Sequence, residues 1–222
     1  MKSFKWLYEH VQQHRSGEDI EVLLPQPRTA EELAAVPDDR LFSDLTRRVF
    51  RAGLKHSLVD SKWSAFEQAF FGFDPAKISL MSDEHLEKLM QNDQIIRHFG
   101  KIKATRVNAL MVSELSAKHG GFGRFLADWP GEDIIGLWAL LKKQGGQMGG
   151  NSGPSFLRMV GKDTFLLTDD VVAALKAQGI VDKKPTAKRD LQKVQDAFNQ
   201  WQQESGRPYC QISRLLSYTV GW

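Results

Sequence analysis

A glycine-rich stretch between two helical patterns is the first feature of this chain that could do chemistry. Within residues 144–153 five positions are glycine: Gly145, Gly146, Gly149, Gly150 and Gly153. Glycine lets the backbone approach a partner closely, and successive amides beside a helix start bind anions. No Gly-Lys-Ser/Thr sequence closes the stretch, which excludes a nucleotide-binding P-loop. The pattern predicts a helix-hairpin-helix that binds a DNA backbone, with a flexible inter-helix loop as the alternative.

Basic residues flank the predicted hairpin. Lys142 and Lys143 precede it, and Arg158 and Lys162 follow it. Residues 97–161 carry nine Lys and Arg against four Asp and Glu, whereas residues 1–40 carry five against eight. This asymmetry is expected if one face meets a polyanion. The residues predicted to contact the DNA backbone are Gly149, Gly150, Gly153, Arg158 and Lys162.

Two carboxylates, Asp169 and Asp170, begin a predicted helix sixteen and seventeen residues after Gly153. We expect one of them to cap the helix and the other to face the space beyond the hairpin. The alternative is a pair of capping or solvated acids.

Cysteine and histidine give little support for a metal or redox site. Cys210 is the single cysteine, which excludes an internal disulfide framework and Cys-rich zinc modules. Among the six histidines only His10 and His14 have an i, i+4 spacing, for which a solvated face is the simpler interpretation. The chain lacks both a secretory apolar stretch and a run of about 18 apolar residues. We therefore expect a cytoplasmic protein without a membrane segment.

The elements that must position these residues are predicted to be helices. The 222 residues are 41% hydrophobic and 26% charged, with a formal net charge of +3, which is typical of a globular protein. Apolar residues recur at helical spacing almost throughout, and Phe165-Leu166-Leu167 is the one stretch that could be a strand. Residues 18–27 are predicted to be irregular. Thr29 and Glu32 form a capping-box pattern at the start of a short helix, and Asp74 followed by Pro75 predicts another helix start. Leu41, Leu45, Val49 and Ala52 form one stripe of a longer helix, and Asp60 or Ser61 is expected to cap the helix that carries Trp63, Phe66, Ala69, Phe70 and Phe71. The fold class is all-α, with ten to thirteen helices.

Residues 41–175 resemble a known family. The resemblance is carried by Leu41-Phe42, Ala52-Gly53-Leu54, Phe73-Asp74-Pro75, Met81, Leu89, Ile95-Ile96-Arg97-His98, Lys101-Ile102 and Asn108-Ala109, and further on by Gly153 and Asp169. This pattern is similar to DNA-3-methyladenine glycosylase I, within the helix-hairpin-helix DNA glycosylase superfamily. The resemblance implies two helical lobes with a base pocket between them. We predict one lobe at 41–175 and a second formed by the terminal segments 1–40 and 176–222.

The chain departs from that family at the base pocket and at the zinc site. Arg48 stands where the family has a pocket glutamate, and His56 stands where it has a stacking tryptophan. With Trp63, these residues form the predicted base pocket; alternatively, Arg48 holds a phosphate or pairs with Asp44. The family's zinc clip needs two Cys and two His, yet Cys210 is alone and Asp170 takes one histidine position. We expect no metal and no cofactor.

The resemblance also implies a catalytic residue. In the wider superfamily an aspartate shortly after the hairpin is the catalytic acid, and Asp169 fits that spacing. The prediction is a monofunctional DNA glycosylase that hydrolyses the N-glycosidic bond of an alkylated or otherwise damaged purine after base flipping. Its partner would be double-stranded DNA containing a damaged base, bound by a monomer. The alternatives are a non-catalytic DNA-binding module and a helical small-molecule enzyme or scaffold that binds no DNA.

Overall fold

The structure is a computed structural model that describes residues 1–220. Within this range it contains fifteen α-helices, more than the ten to thirteen predicted, and no strand, which confirms the all-α prediction. In chain order the helices are α1 (Phe4–His14), α2 (Ile20–Leu23), α3 (Ala30–Ala34), α4 (Asp38–Arg51), α5 (His56–Ser61), α6 (Trp63–Ala69), α7 (Pro75–Ser79), α8 (Asp83–Leu89), α9 (Phe99–His119), α10 (Phe122–Asp128), α11 (Ile134–Gln144), α12 (Ser152–Met159), α13 (Asp169–Ala177), α14 (Lys188–Ser205) and α15 (Tyr209–Ser217). None of the helices in this range has both the length and the apolar composition that crossing a bilayer requires.

The chain divides into two compact units. The hairpin unit comprises Arg28–Trp129 and Leu137–Lys162, and the terminal unit comprises Met1–Pro27, Pro130–Gly136 and the chain from Asp163 onward. These boundaries differ from the predicted lobe at 41–175, since 28–40 belong to the hairpin unit, whereas 130–136 and 163–175 belong to the terminal unit. Hydrogen bonds explain the first difference, because Arg28 donates its backbone N–H to Gly161 and a guanidinium N–H to the carbonyl of Val160.

The core of the hairpin unit is built on α4 and α9. The stripe predicted along α4 is buried at Leu41, Leu45 and Val49. A cluster of large aromatic side chains packs beside α4, formed by Phe42, Phe50, Trp63, Phe66, Phe70 and Phe73. Each fully buried aromatic side chain of this kind contributes about 2–3 kcal/mol to stability through removal of apolar surface from water. The cluster therefore fixes α4 and the short helices that follow it.

Several helix ends follow the sequence signals. Thr29 and Glu32 form the predicted capping box of α3, and Asp74 caps α7 ahead of Pro75. His98 caps α9, which ends at Gly120 with a φ of +73°. Helix caps are formed by residues a few positions apart, so the local sequence determines where these helices begin and end.

Three short elements differ from the predictions. Residues 18–27, predicted to be irregular, contain α2, whose N-terminus is capped by Asp19. The aromatic helix predicted to start after an Asp60 or Ser61 cap starts at Trp63, and Asp60 instead accepts hydrogen bonds from Arg51. The possible strand at Phe165–Leu167 is an irregular segment, because Leu166 donates its N–H to the Ser213 hydroxyl on α15.

The core of the terminal unit gathers aromatic residues from distant parts of the sequence. Phe165 stacks on Phe198 at 4.2 Å between ring centroids, and Trp201 packs edge-on against Phe198. Asp163 accepts hydrogen bonds from the backbone N–H groups of Tyr209 and Cys210, both at 2.9 Å. No side chain at the start of α15 caps that helix. The Asp163 carboxylate instead accepts the hydrogen bonds of its first N–H groups and so attaches the segment that follows the hairpin to α15.

We expect the terminal unit to lose stability in alkali through Tyr209. Burial, with the charges of Asp163 and Glu132, raises the pKa of the buried Tyr209 phenol to about 12 from 10.0. The unfolded chain therefore releases this proton near pH 10 while the folded chain keeps it, so the free energy of unfolding falls between pH 10 and pH 12. The loss is at most about 3 kcal/mol.

Urea unfolding of Tyr209→Phe at pH 9 and pH 11 measures this contribution. The Tyr209→Phe variant should lose less stability between the two pH values than the wild type, although it also loses the hydrogen bond from the phenol to Asn199. The Tyr218→Phe variant is the control and should keep the wild-type difference. An unchanged alkaline loss in Tyr209→Phe would contradict the assignment.

Candidate functional site

The predicted hairpin is present, and its first two glycines anchor it to α9. It runs from the end of α11 at Gln144 to the start of α12 at Ser152. A Cβ atom on Gly146 would lie 2.8 Å from the Ala104 Cβ, and one on Gly145 would lie 2.7 Å from the Leu141 carbonyl oxygen. Asn108 donates to the Gly146 carbonyl at 3.1 Å and accepts from the Gly146 N–H at 2.8 Å. These glycines are therefore required for close packing within the protein.

The other three hairpin glycines lie in different surroundings. Gly150 is exposed with a φ of +58°, and nothing lies within 4 Å of the place where its Cβ would be. The corresponding place at Gly149 contacts only the Lys142 side chain, at 3.8–4.0 Å. Gly153 is buried in the first turn of α12, where a Cβ would lie 3.2 Å from the Met148 carbonyl oxygen. We call Gly149 and Gly150 the hairpin tip; the space beside it would let an anion approach the backbone closely.

The basic residues around the hairpin divide into exposed and buried groups. Lys142 and Lys143 are exposed, and Arg158 is half-buried on α12. Lys162 is 8% exposed, and its ammonium donates to the carbonyls of Trp129 at 2.6 Å and Ala127 at 3.3 Å. These bonds follow the C-terminal end of α10, where the helix dipole favours a cation. Lys162 thus has a structural role, and we do not retain it as a DNA contact.

Two of the three predicted base-pocket residues lie in contrasting positions. Trp63 is 5% exposed, stacks on Phe73 at 5.2 Å and donates its indole N–H to the Ser43 hydroxyl at 3.0 Å. The aromatic core accounts for these contacts, so Trp63 is not retained as a pocket wall. His56 begins α5 and is exposed.

Arg48, the third of these residues, is half-buried on α4 beside a second cation. The pKa of Arg48 is lowered by burial and by the charge of Arg51. Lys101 is 5% exposed, and its ammonium donates to the carbonyls of Ala52 at 2.6 Å and Phe50 at 3.0 Å. Burial, followed by the charge of Arg48, lowers the pKa of Lys101. In residues 1–220 Arg48 forms no ion pair with Asp44, the alternative partner considered from the sequence.

Asp169 and Asp170 lie in the first turn of α13, but neither is its cap. Thr168 precedes the helix, and its hydroxyl accepts from the backbone N–H of Val171 at 3.3 Å. The Asp169 side chain is 97% exposed, with the Lys184 ammonium 3.4 Å from its Oδ1. A carboxylate in this position is favoured by the helix dipole and is open to a ligand.

The residues that replace the family's zinc ligands do not fit a zinc ion. Cys210 is buried and its Sγ lies 3.5 Å from the Pro25 carbonyl oxygen, whereas Asp170 is exposed on α13. Across the described part of the chain, no group of three or more His, Cys, Asp or Glu side chains could hold a metal ion.

Comparison with known proteins connects this geometry to a family. The protein-family model for methyladenine glycosylase matches residues 33–143, which is half of the chain. The chain belongs to the methyladenine glycosylase family. The matched region includes α4, α9 and almost all of α11, and therefore the surroundings of Arg48 and Lys101. Family membership confirms the resemblance predicted from the Ile-Ile-Arg-His segment.

Individual curated proteins and solved structures are also similar to this chain. DNA-3-methyladenine glycosylase 1 of Escherichia coli (strain K12) is 39% identical over 70 residues, which cover 32% of this chain and 37% of that protein. A crystal structure of 3-methyladenine DNA glycosylase I has a TM-score of 0.50 and 26% identity, covering 66% of this chain and 90% of that one. The 8-oxoguanine DNA glycosylase of Thermotoga maritima has a TM-score of 0.52 and 16% identity over 98% of this chain and 95% of that one, which shows a shared fold.

Two residues of this family member were not predicted as site residues. Lys101 follows the Ile-Ile-Arg-His segment by three positions, yet its burial beside Arg48 depends on the packing of α9 against α4. Gln147 has a φ of +58° within the hairpin, and its side-chain Nε2 would lie 3.4 Å from a Cβ placed on Gly100. A non-glycine residue in the left-handed region is uncommon, and sequence spacing carries no signal of it.

Proposed function

We propose that this chain is a monofunctional DNA glycosylase that hydrolyses the N-glycosidic bond of a damaged purine, with alkylated purines as the first class to test. The observation that carries the proposal is the open hairpin tip, in a hairpin that Asn108 bonds to α9 through Gly146, within a chain of the methyladenine glycosylase family. The named activities of the E. coli and T. maritima proteins support the same class of reaction.

In the proposed reaction, the hairpin tip and nearby cations hold the DNA backbone while the damaged base leaves the stack. Flipping costs a few kcal/mol and costs least for a damaged or mispaired base. The open space beside Gly149 and Gly150 lets a phosphate oxygen approach the backbone there, and Lys142 and Arg158 add positive charge. Such contacts position the duplex without reading its sequence.

The chemical step breaks the bond between the base nitrogen and C1′ of the deoxyribose. The bonding electron pair leaves with the base, positive charge develops on the sugar, and the oxygen of a water molecule bonds to C1′ and releases a proton. We propose that the Asp169 carboxylate stabilises that positive charge and orients the water. The buried Lys162 ammonium donates to two carbonyls, which favours hydrolysis by water over attack by a lysine amine.

We further propose double-stranded DNA with a damaged base as the partner of a monomeric, cytoplasmic protein. Hydrolysis by this route needs only water and the Asp169 carboxylate, so the proposal includes no cofactor. The test is base release from duplexes that carry one alkylated, deaminated or oxidised base. Release of any of these bases by the wild type supports the glycosylase, and release of none contradicts it.

We expect the salt dependence of duplex binding to identify the phosphate contacts. The Lys142→Ala and Arg158→Ala variants should each reduce the slope of log affinity against log salt by about 1, because each removes one phosphate contact. Lys162→Met should leave the slope unchanged, since its ammonium is bonded to carbonyls within the protein. Arg124→Ala, which removes an exposed arginine on α10, is the matched control. An unchanged slope in both Lys142→Ala and Arg158→Ala would remove these contacts from the proposal.

A further inference from the structure

The guanidinium of Arg48 lacks a protein partner in the part of the chain that the structure describes. Its Nε atom is buried and makes no hydrogen bond. Of the neighbouring arginines on α4, Arg51 pairs with Asp60 at 2.7 Å. The Arg47 Nε atom is also buried without a hydrogen bond, but the Arg47 guanidinium lies 4.7 Å from the Trp63 ring centroid. A buried donor without a partner costs stability, so it calls for an explanation such as a bound ligand.

The surroundings of Arg48 carry positive charge that no carboxylate balances. Lys101 lies within electrostatic range, and its ammonium is held by the carbonyls of Phe50 and Ala52 at the end of α4. Across residues 1–220 neither Arg48 nor Lys101 forms an ion pair. A group that entered beside Arg48 would therefore meet hydrogen-bond donors and positive charge.

Resting on the proposed function, we infer that Arg48 contacts the flipped base and selects an uncharged damaged purine that presents hydrogen-bond acceptors, such as a 6-oxopurine, over a cationic N-alkylpurine. The planar guanidinium matches two adjacent acceptors, as on the O6 and N7 edge of such a base. A cationic base would instead be repelled by Arg48 and Lys101.

The chemistry of the leaving base supports the same choice. When the bond to C1′ breaks, the electron pair stays on the base, so an uncharged purine departs as an anion until it takes a proton from water. A cationic purine departs as a neutral molecule and needs no such help. The Arg48 guanidinium stabilises negative charge that develops only as the bond breaks. An acceptor-bearing, uncharged base is therefore the one that gains from this residue.

The experiment uses three duplexes that differ at one position, which carries guanine, hypoxanthine or 7-methylguanine. The two damaged bases share a 6-oxo group and differ in charge. Base release and duplex affinity are measured for the wild type, Arg48→Met, Arg48→Glu and, as a matched control on the same helix, Arg51→Met. Removal of Arg48 leaves no acceptor unpaired, so we expect Arg48→Met to fold, which thermal unfolding verifies.

The wild type should release hypoxanthine about 10²-fold faster than 7-methylguanine and bind its duplex about tenfold more tightly. Both preferences should disappear in Arg48→Met, reverse in Arg48→Glu and persist in Arg51→Met. Release of 7-methylguanine in preference would overturn the inference while supporting the glycosylase. If no base is released but affinity still favours hypoxanthine through Arg48, the glycosylase fails and the inference stands. If Arg48→Met weakens the binding of all three duplexes equally, Arg48 contacts a phosphate and the inference is overturned.

Discussion

The Asp169→Asn variant is expected to lose base release from damaged DNA while its affinity for duplex DNA stays at the wild-type level. Asparagine keeps the size of the side chain but removes the charge that would face the positive sugar. Loss of such a charge typically lowers a rate by about 10²–10⁴-fold. The fold should be unaffected, because Asp169 is 97% exposed and Thr168, rather than Asp169, caps α13.

The adjacent carboxylate provides a matched control for this prediction. Asp170 also lies exposed in the first turn of α13, so Asp170→Asn removes the same charge from the same helix end. Lys184→Met removes the ammonium 3.4 Å from Asp169 and tests whether that ion pair affects the rate. Single-turnover release and equilibrium binding separate chemistry from affinity. Equal losses in Asp169→Asn and Asp170→Asn would show a general electrostatic effect and refute the catalytic assignment.

The alternative of a non-catalytic DNA-binding protein depends on the same measurements. The position of the family's pocket glutamate is occupied by Arg48, so catalysis depends on the proposed acid, Asp169. A wild-type protein that binds duplexes with a steep salt slope but releases no base would favour this alternative. A protein that binds no duplex at any salt concentration would instead favour the small-molecule or scaffold interpretation.

Local features of this fold were predictable from the sequence. The capping box at Thr29 and Glu32, the Asp74-Pro75 start and the hairpin between α11 and α12 each depend on residues a few positions apart. Family membership was predictable for a related reason, since the Ile-Ile-Arg-His segment and its neighbours keep their spacing. Short helices such as α2, with four residues, were missed because a single turn has too few apolar positions to show a period.

Side-chain environments could not be predicted, because they depend on tertiary contacts. Lys162 follows Arg158 by four positions, yet its ammonium reaches carbonyls more than thirty residues away. Trp63 has the composition of a base-stacking wall, but the neighbouring phenylalanines enclose it. Conversely, the burial of Lys101 beside Arg48 follows from the packing of α9 on α4. Spacing indicates a candidate site along the chain, but not which side chains are available to a ligand.

The hairpin itself is tested most directly at Gly149. Because its φ lies outside the left-handed region and a Cβ would make only ordinary contact with Lys142, the fold should accept a side chain there. A valine would hold a phosphate away from the tip amides, so Gly149→Val should weaken binding to every duplex by about 10–100-fold, damaged or not. Thermal unfolding should match the wild type.

Substitution at Gly153 gives a less direct result and explains why Gly149 is the better position. Gly153 is buried and a Cβ would lie 3.2 Å from the Met148 carbonyl oxygen, so Gly153→Val should lower both thermal stability and DNA affinity. Gly149→Ala, with a smaller side chain at the same place, should have a duplex affinity between that of the wild type and that of Gly149→Val. Wild-type affinity in Gly149→Val at several salt concentrations would exclude the tip amides as a phosphate site, because a branched side chain at Gly149 cannot leave that approach open.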